Sequence, residues 1–236
     1  MSLLTAYVRE IRLFGSHARG DDGAASDLDV LYVVDTSRVG DRSQADTRIS
    51  DLLQGNKSDI SLYSERRLRE MFETGHLFAW HLYIESKPVW SDGAGSFVES
   101  LGRPARYVGA RKDIIELLEI ASEAATSLRN LGSTIIYECG ILYVCCRNVA
   151  LIASTRANDA PIFGPQSPMQ VTIPSIPFPL NDDEYMLIIA ARHSVTRGAP
   201  APDLDRIRAN DIGERALRWI RSVAAWTLDE CNETVF

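Results

Sequence analysis

The sequence predicts an α+β domain of α/β type over residues 1–103, followed by an all-α helical bundle over residues 104–236. Helical and strand spacings alternate as far as Gly102-Arg103-Pro104. Beyond that point the long segments carry helical spacing only.

In order along the chain, "SLLTAYVREI" has helical spacing, and "IRLFG" is a short strand stopped by Gly15. "DLDVLYVVD" is a strand. Its Leu28, Val30, Leu31, Tyr32, Val33 and Val34 are apolar on both faces, which predicts a central position in a sheet. "DRSQADTRISDLLQ" is a polar helix ending near Gly55. "KSDISLYS" is a strand with Asp59 and Ser61 on one face and Ile60 and Leu62 on the other. "SERRLREMF" and "GHLFAWHLYIES" read as helices, and "KPVWSD" as a closing strand.

In the second half, "RKDIIELLEIASEAATSLRN" sets Ile114, Leu117, Leu118, Ala121, Ala125 and Leu128 on one stripe. Gly132 follows as a stop, and Ser133-Thr134 as a new cap. "TIIYECGILYVCCRNVALIAST" is apolar nearly all round, as the central helix of a bundle is. A proline-rich connection runs from Pro161 to Pro179. "DDEYMLIIAARHSV" is a further helix, and the last begins at "DIGERALRWIRSVAAWTLDE", where Asp211 and Glu214 have capping-box spacing.

The 236 residues suffice to bury a core, and 45% hydrophobic with 24% charged residues is ordinary for a globular chain. A net charge of −7 argues against general nucleic-acid binding, which needs a basic face to displace phosphate counterions. No apolar run reaches the roughly 20 residues of a membrane span. The start has no basic n-region, and Arg9 and Arg12 interrupt any signal-like core, so a cytoplasmic protein is expected. The four cysteines lack CxxC spacing and read as buried reduced thiols.

The chemistry lies in "FGSHARGDDGAASDLDVLYVV". Alternate residues of a strand share a face, about 7 Å apart, so Asp27 and Asp29 point the same way. Two carboxylates so placed can share a hard divalent cation such as Mg²⁺, which takes carboxylates, phosphates and water. Asp59 joins them if its strand pairs with theirs. Three carboxylates with no cation repel one another. Gly15 permits a tight turn and close backbone approach to a ligand. A helix beginning at Ser16 would offer free N–H groups and a hydroxyl to a triphosphate, and Arg19, one turn on, could reach an outer phosphate.

Gly15-Ser16, ten residues, then Asp27-x-Asp29, with Asp59 in a later apolar strand, closely resembles the DNA polymerase β-like nucleotidyltransferase superfamily. The fuller "GSHARG…SDLDV" is similar to its minimal and antibiotic nucleotidyltransferase branch. The resemblance covers about the first hundred residues and implies a mixed central sheet. It implies that Gly15 and Ser16 hold nucleotide phosphates and that Asp27 and Asp29 bind Mg²⁺. Asp59 then completes the metal site or acts as base. The helical half is similar to the HEPN-like domains coupled to such enzymes. Their ribonuclease forms place a histidine a few residues after an arginine. Arg147 is followed by Asn148 and apolar residues, so ribonuclease activity is not expected.

Blander readings compete residue by residue. Arg19 could be a solvated helix residue, and Asp59 a strand-edge residue paired with Lys57. Asp21 and Asp22 read as turn residues, and His17 as a surface histidine. His76 and His81, five apart, do not share a helical face. Glu138, on the apolar central helix, needs a partner if buried and could serve as general base on an acceptor. Arg147 could anchor the domain interface or touch a phosphate. The expected activity is Mg²⁺-dependent transfer of a nucleoside monophosphate, AMP from ATP in the simplest case, to a hydroxyl. The acceptor is expected to be a small molecule, cationic and aminoglycoside-like, held between the domains, because the chain is acidic. The alternatives are protein AMPylation in a toxin–antitoxin pair, a nucleotide-binding interaction module without turnover, and RNA tailing, which the low charge disfavours. A homodimer is compatible with the sequence.

Overall fold

The computed structural model describes residues 7–21, 27–35, 58–130, 134–158 and 160–229. The expected polar helix of residues 41–54, Asp22, Lys57, Gly132, Ser133 and Cys231 lie outside the described residues. The chain divides into two units, Met1–Val108 and Gly109–Phe236.

The first unit contains β1 (Val8–Phe14), α1 (Gly15–Arg19), β2 (Leu28–Val34), β3 (Ser58–Ser64), α2 (Glu65–Glu73), α3 (Leu77–Glu85), β4 (Lys87–Ser91) and α4 (Phe97–Ser100). The sheet order is β3-β2-β1-β4. β1 runs antiparallel to β2 and β4, and β2 runs parallel to β3, so the sheet is mixed.

β1 corrects one expectation. Val8–Ile11 had helical spacing but forms strand, because Glu10 and Arg12 point inward rather than to solvent. Glu10 is 0% and Arg12 3% exposed. Arg12 Nη1 donates to Glu10 Oε1 at 2.6 Å, the Ser96 hydroxyl donates to the same oxygen at 2.7 Å, and the Val98 N–H donates to Oε2 at 2.9 Å. Arg12 Nε donates to Ser86 Oγ at 2.8 Å. The pair thus ties β1 to the end of α3 and the start of α4. A register shift between Val8 and Glu10 turns Val8 to the other face of the sheet. One face packs Phe14, Leu31 and Val33 against Leu68, Met71, Phe72 and Leu82 of α2 and α3. The other gathers Val8, Tyr32 and Val34 with Ile60, Leu62 and Trp90.

The second unit contains α5 (Ala110–Arg129), α6 (Ile135–Ala157), α7 (Ser167–Gln170), α8 (Asp182–Arg197) and α9 (Arg206–Asp229). α6 packs against α5, α8 and α9. By length and composition α6 could cross a membrane, but it is the central helix of this bundle, with 56% of its apolar window buried. Gly140 lets it approach α8 closely, since a Cβ there would stand 3.1 Å from the Arg192 Cα. Cys139, Cys145 and Cys146 are buried free thiols, and burial pushes the first two up to about 12.

The helix ends show which signals the chain uses. Asn181 and Glu184 form a complete capping box at the start of α8. Thr134 precedes α6 but makes no side-chain cap bond. α9 begins at Arg206, not at Asp211, because Asp205 accepts the Arg208 N–H at 2.8 Å and caps it earlier. Asp211 instead pairs with Arg215 inside the helix, at 2.7 Å. The proline-rich connection contains the single turn of α7.

Arg12→Ala would leave the Glu10 carboxylate buried without its cation. It is expected to destabilise the protein by about 3–5 kcal/mol, read as a lower urea midpoint at unchanged slope. Replacing Glu10 and Arg12 together by apolar residues of similar volume should recover most of that loss.

Candidate active site

The site forms where β1 ends and β2 and β3 begin. Asp27 is exposed just ahead of β2, while the strand passes from an exposed Leu28 to four buried residues, Leu31 to Val34. Asp29 sits at the half-buried step between. In the sheet register it lies opposite Phe14 of β1 on one side and Asp59 of β3 on the other. Neighbouring strands stand about 4.8 Å apart, so the Asp29 and Asp59 backbones are next to each other.

Gly15 closes the site from the β1 side. Its φ is +68°, and a Cβ built there would overlap Asp29 Oδ2 and come within 2.9 Å of its Cγ. No side chain fits between that backbone and the carboxylate. Ser16 follows in α1, a helix of five residues that Gly20 ends in the left-handed conformation.

Electrostatics join these groups. Burial raises the Asp29 pKa, and the negative charges of Asp59 and Asp27 push it further, against opposing influence from His81 and Arg19. Like-charged oxygen ligands next to one another suit a hard divalent cation. Among the described residues no three His, Cys, Asp or Glu side chains already stand at single-ion spacing. The fit of Mg²⁺ therefore rests on the strand register and the all-oxygen donor set of Asp27, Asp29 and Asp59.

Arg19 is tied within the unit. Its Nη1 donates to Glu85 Oε2 at 2.7 Å, and its Nε lies 3.1 Å from both Asp21 carboxylate oxygens. Burial alone would lower its pKa, but these bonds outweigh it and the pKa rises. His81 Nε2 lies 2.8 Å from the same Glu85 oxygen, and its ring meets Phe14 edge-on at 5.4 Å. The five-residue spacing from His76 hides His81 in the sequence, and His76 itself caps α3 by accepting the Phe78 N–H at 3.1 Å. The usable signal was His81 and Glu85 at i, i+4, one helical face.

Glu138 lies in the second unit, in the first turn of α6, where burial raises its pKa and a hydrogen bond with Ser127 opposes the rise. The Arg147 carbonyl accepts the Ser167 hydroxyl at 3.1 Å. The Arg147 charge acts with those of Arg197 and Arg192 to hold down a Tyr143 pKa that burial raises.

The family model described as "Nucleotidyltransferase domain" matches residues 2–82. The matched stretch, which carries Gly15, Ser16, Asp27, Asp29 and Asp59, is similar to a nucleotidyltransferase domain. No curated protein sequence matches the chain. Solved structures that match include the crystal structure of a spectinomycin adenyltransferase from Enterococcus faecialis with ATP and spectinomycin. It is 14% identical, covers 92% of this chain and 93% of that one, and has a TM-score of 0.46.

The raised Asp29 pKa gives the first unit a pH-dependent cost. The folded state favours the protonated carboxyl, so stability is full below the ordinary aspartate range and falls as pH rises through the raised value. Asp29→Asn removes the charge and is expected to raise the melting temperature at pH 7. That gain should shrink as the pH falls below the ordinary aspartate range, which melting curves across pH 3–8 would show.

Proposed function

We propose that the chain is a Mg²⁺-dependent nucleotidyltransferase that moves AMP from ATP onto a hydroxyl of a small, cationic acceptor. The observation that carries this reading is the pairing of Asp29 with Asp59 across β2 and β3, with the Gly15 backbone closed onto the Asp29 carboxylate. In this reading Asp27, Asp29 and Asp59 hold Mg²⁺, which supplies charge neutralisation at the transferred phosphoryl group and the departing pyrophosphate. Gly15 and Ser16 hold the phosphates, and Arg19 lies at the end of the same short helix. A carboxylate base takes the proton of the acceptor hydroxyl. That oxygen attacks the α-phosphorus, the bond to the bridging oxygen breaks, and pyrophosphate leaves.

The nucleotidyltransferase domain, residues 1–103, supplies the phosphate and metal groups, and the helical domain, residues 104–236, supplies the acceptor groups. Glu138 is assigned the base role because its raised pKa brings it toward the working range of a general base. A net charge of −7 supports a cationic acceptor of aminoglycoside type, and the buried free thiols Cys139, Cys145 and Cys146 fit a cytoplasmic setting with free nucleotide.

Incubating the protein with each labelled nucleoside triphosphate, an aminoglycoside panel and a cell lysate tests the reading by where the label lands. Label on a small cationic acceptor supports it; label on protein points to AMPylation. Asp27→Asn and Asp29→Asn are each expected to reduce transfer by at least about a thousandfold while the protein stays folded, and near-normal turnover in either removes the metal assignment.

Glu138→Gln is expected to lower kcat by about a hundredfold or more with little change in ATP affinity. Unchanged turnover together with a lower melting temperature makes Glu138 a structural residue of the bundle.

A further inference from the structure

Glu85 has no role in the reaction as described, yet it lies beside the site. Its side chain is 8% exposed. A carboxylate that deep needs partners to remain charged. It has two on one oxygen: Oε2 accepts Arg19 Nη1 at 2.7 Å and lies 2.8 Å from His81 Nε2. Arg19 is the last residue of α1. A helix of five residues cannot hold its own shape in water, so its ends must be fixed from outside. At the first end the Gly15 backbone lies close against the Asp29 carboxylate. The last end is fixed by Arg19, through Glu85 of α3 and through Asp21. Of these two acceptors Asp21 is 51% exposed, so Glu85 is the firmer anchor.

We propose that Glu85 is a positioning residue for the nucleotide. With His81 beside it, it holds Arg19 and through it α1, so that the Gly15 backbone and Ser16 hydroxyl meet the triphosphate in one geometry. The inference rests on the nucleotidyl-transfer reading of the site. Among the described residues the hydrogen bonds and ion pairs of Glu85 go to Arg19 and His81, and not to Asp27, Asp29 or Asp59. Its loss therefore acts on nucleotide affinity before it acts on chemistry.

The test uses the full chain, Mg·ATP and the acceptor that the wild type labels. Glu85→Ala is expected to raise KM for ATP by about tenfold or more while kcat changes by less than about threefold. Arg19→Ala should show the same rise. The double variant should add little to either single, because the two act as one unit. Glu85→Gln keeps the shape and one acceptor oxygen. It is the variant to use if Glu85→Ala does not fold, and it should raise KM by about threefold or more. A KM unchanged in whichever variant folds, or single effects that add fully, overturns the proposal and leaves Glu85 as a stabilising residue only. Absence of transfer from any triphosphate by the wild type overturns the nucleotidyl-transfer reading, and the role of Glu85 with it. Activity in the wild type with an unmoved KM in the variant removes Glu85 alone.

Discussion

The candidate site depends on the register between two parallel strands. β2 and β3 pair without a shift from Leu28 opposite Ser58 to Val34 opposite Ser64. Side chains alternate along a strand, so a slip of one residue would send Asp59 to the face that now carries Ile60 and Leu62. The apolar residues hold the register against that slip. Ile60 and Leu62 pack with Tyr32 and Val34 on one face, while Leu31 and Val33 pack under α2 and α3 on the other. The aspartates are thus brought together by residues that take no part in the chemistry.

The same domain carries two kinds of charge. Glu10 and Arg12 are buried and fully paired, and they join β1 to the ends of α3 and α4. Their loss would be felt as instability. Asp27, Asp29 and Asp59 are like charges held as neighbours at the half-open end of the sheet, and burial, with their proximity added to it, raises the Asp29 pKa. A structural pair satisfies itself, whereas a site that binds metal and phosphate keeps charge available for a ligand. His81 and Arg19 oppose the rise of the Asp29 pKa, and both also turn toward Glu85.

Much of this was legible in the amino-acid order, for reasons that differ by residue. The strand through Asp29 could be read because six apolar residues close to one another declare a central position. The helices from Glu65 to Glu85 could be read from their spacing. The strand at Val8–Ile11 could not. Glu10 and Arg12 look like the polar side of a helix, and only their mutual burial makes them strand residues. The start of α9 is hidden for a related reason. Two aspartates stand six apart, and local spacing favoured Asp211 although the backbone hydrogen bond goes to Asp205.

By itself the sequence determined the motif: a glycine with no side chain before Ser16, two aspartates on one strand face, and a third in a later strand. These follow from local rules of backbone freedom and strand alternation. It also determined which helix would be central in the second unit, because α6 has apolar residues on nearly every side. Only tertiary structure decided that Asp59 stands beside Asp29, that Gly15 closes on that carboxylate, and that Glu85 gathers Arg19 and His81. Each of these joins residues far apart in the chain. Their meeting depends on strand pairing and on how α1 and α3 pack beside the sheet, which no local pattern encodes.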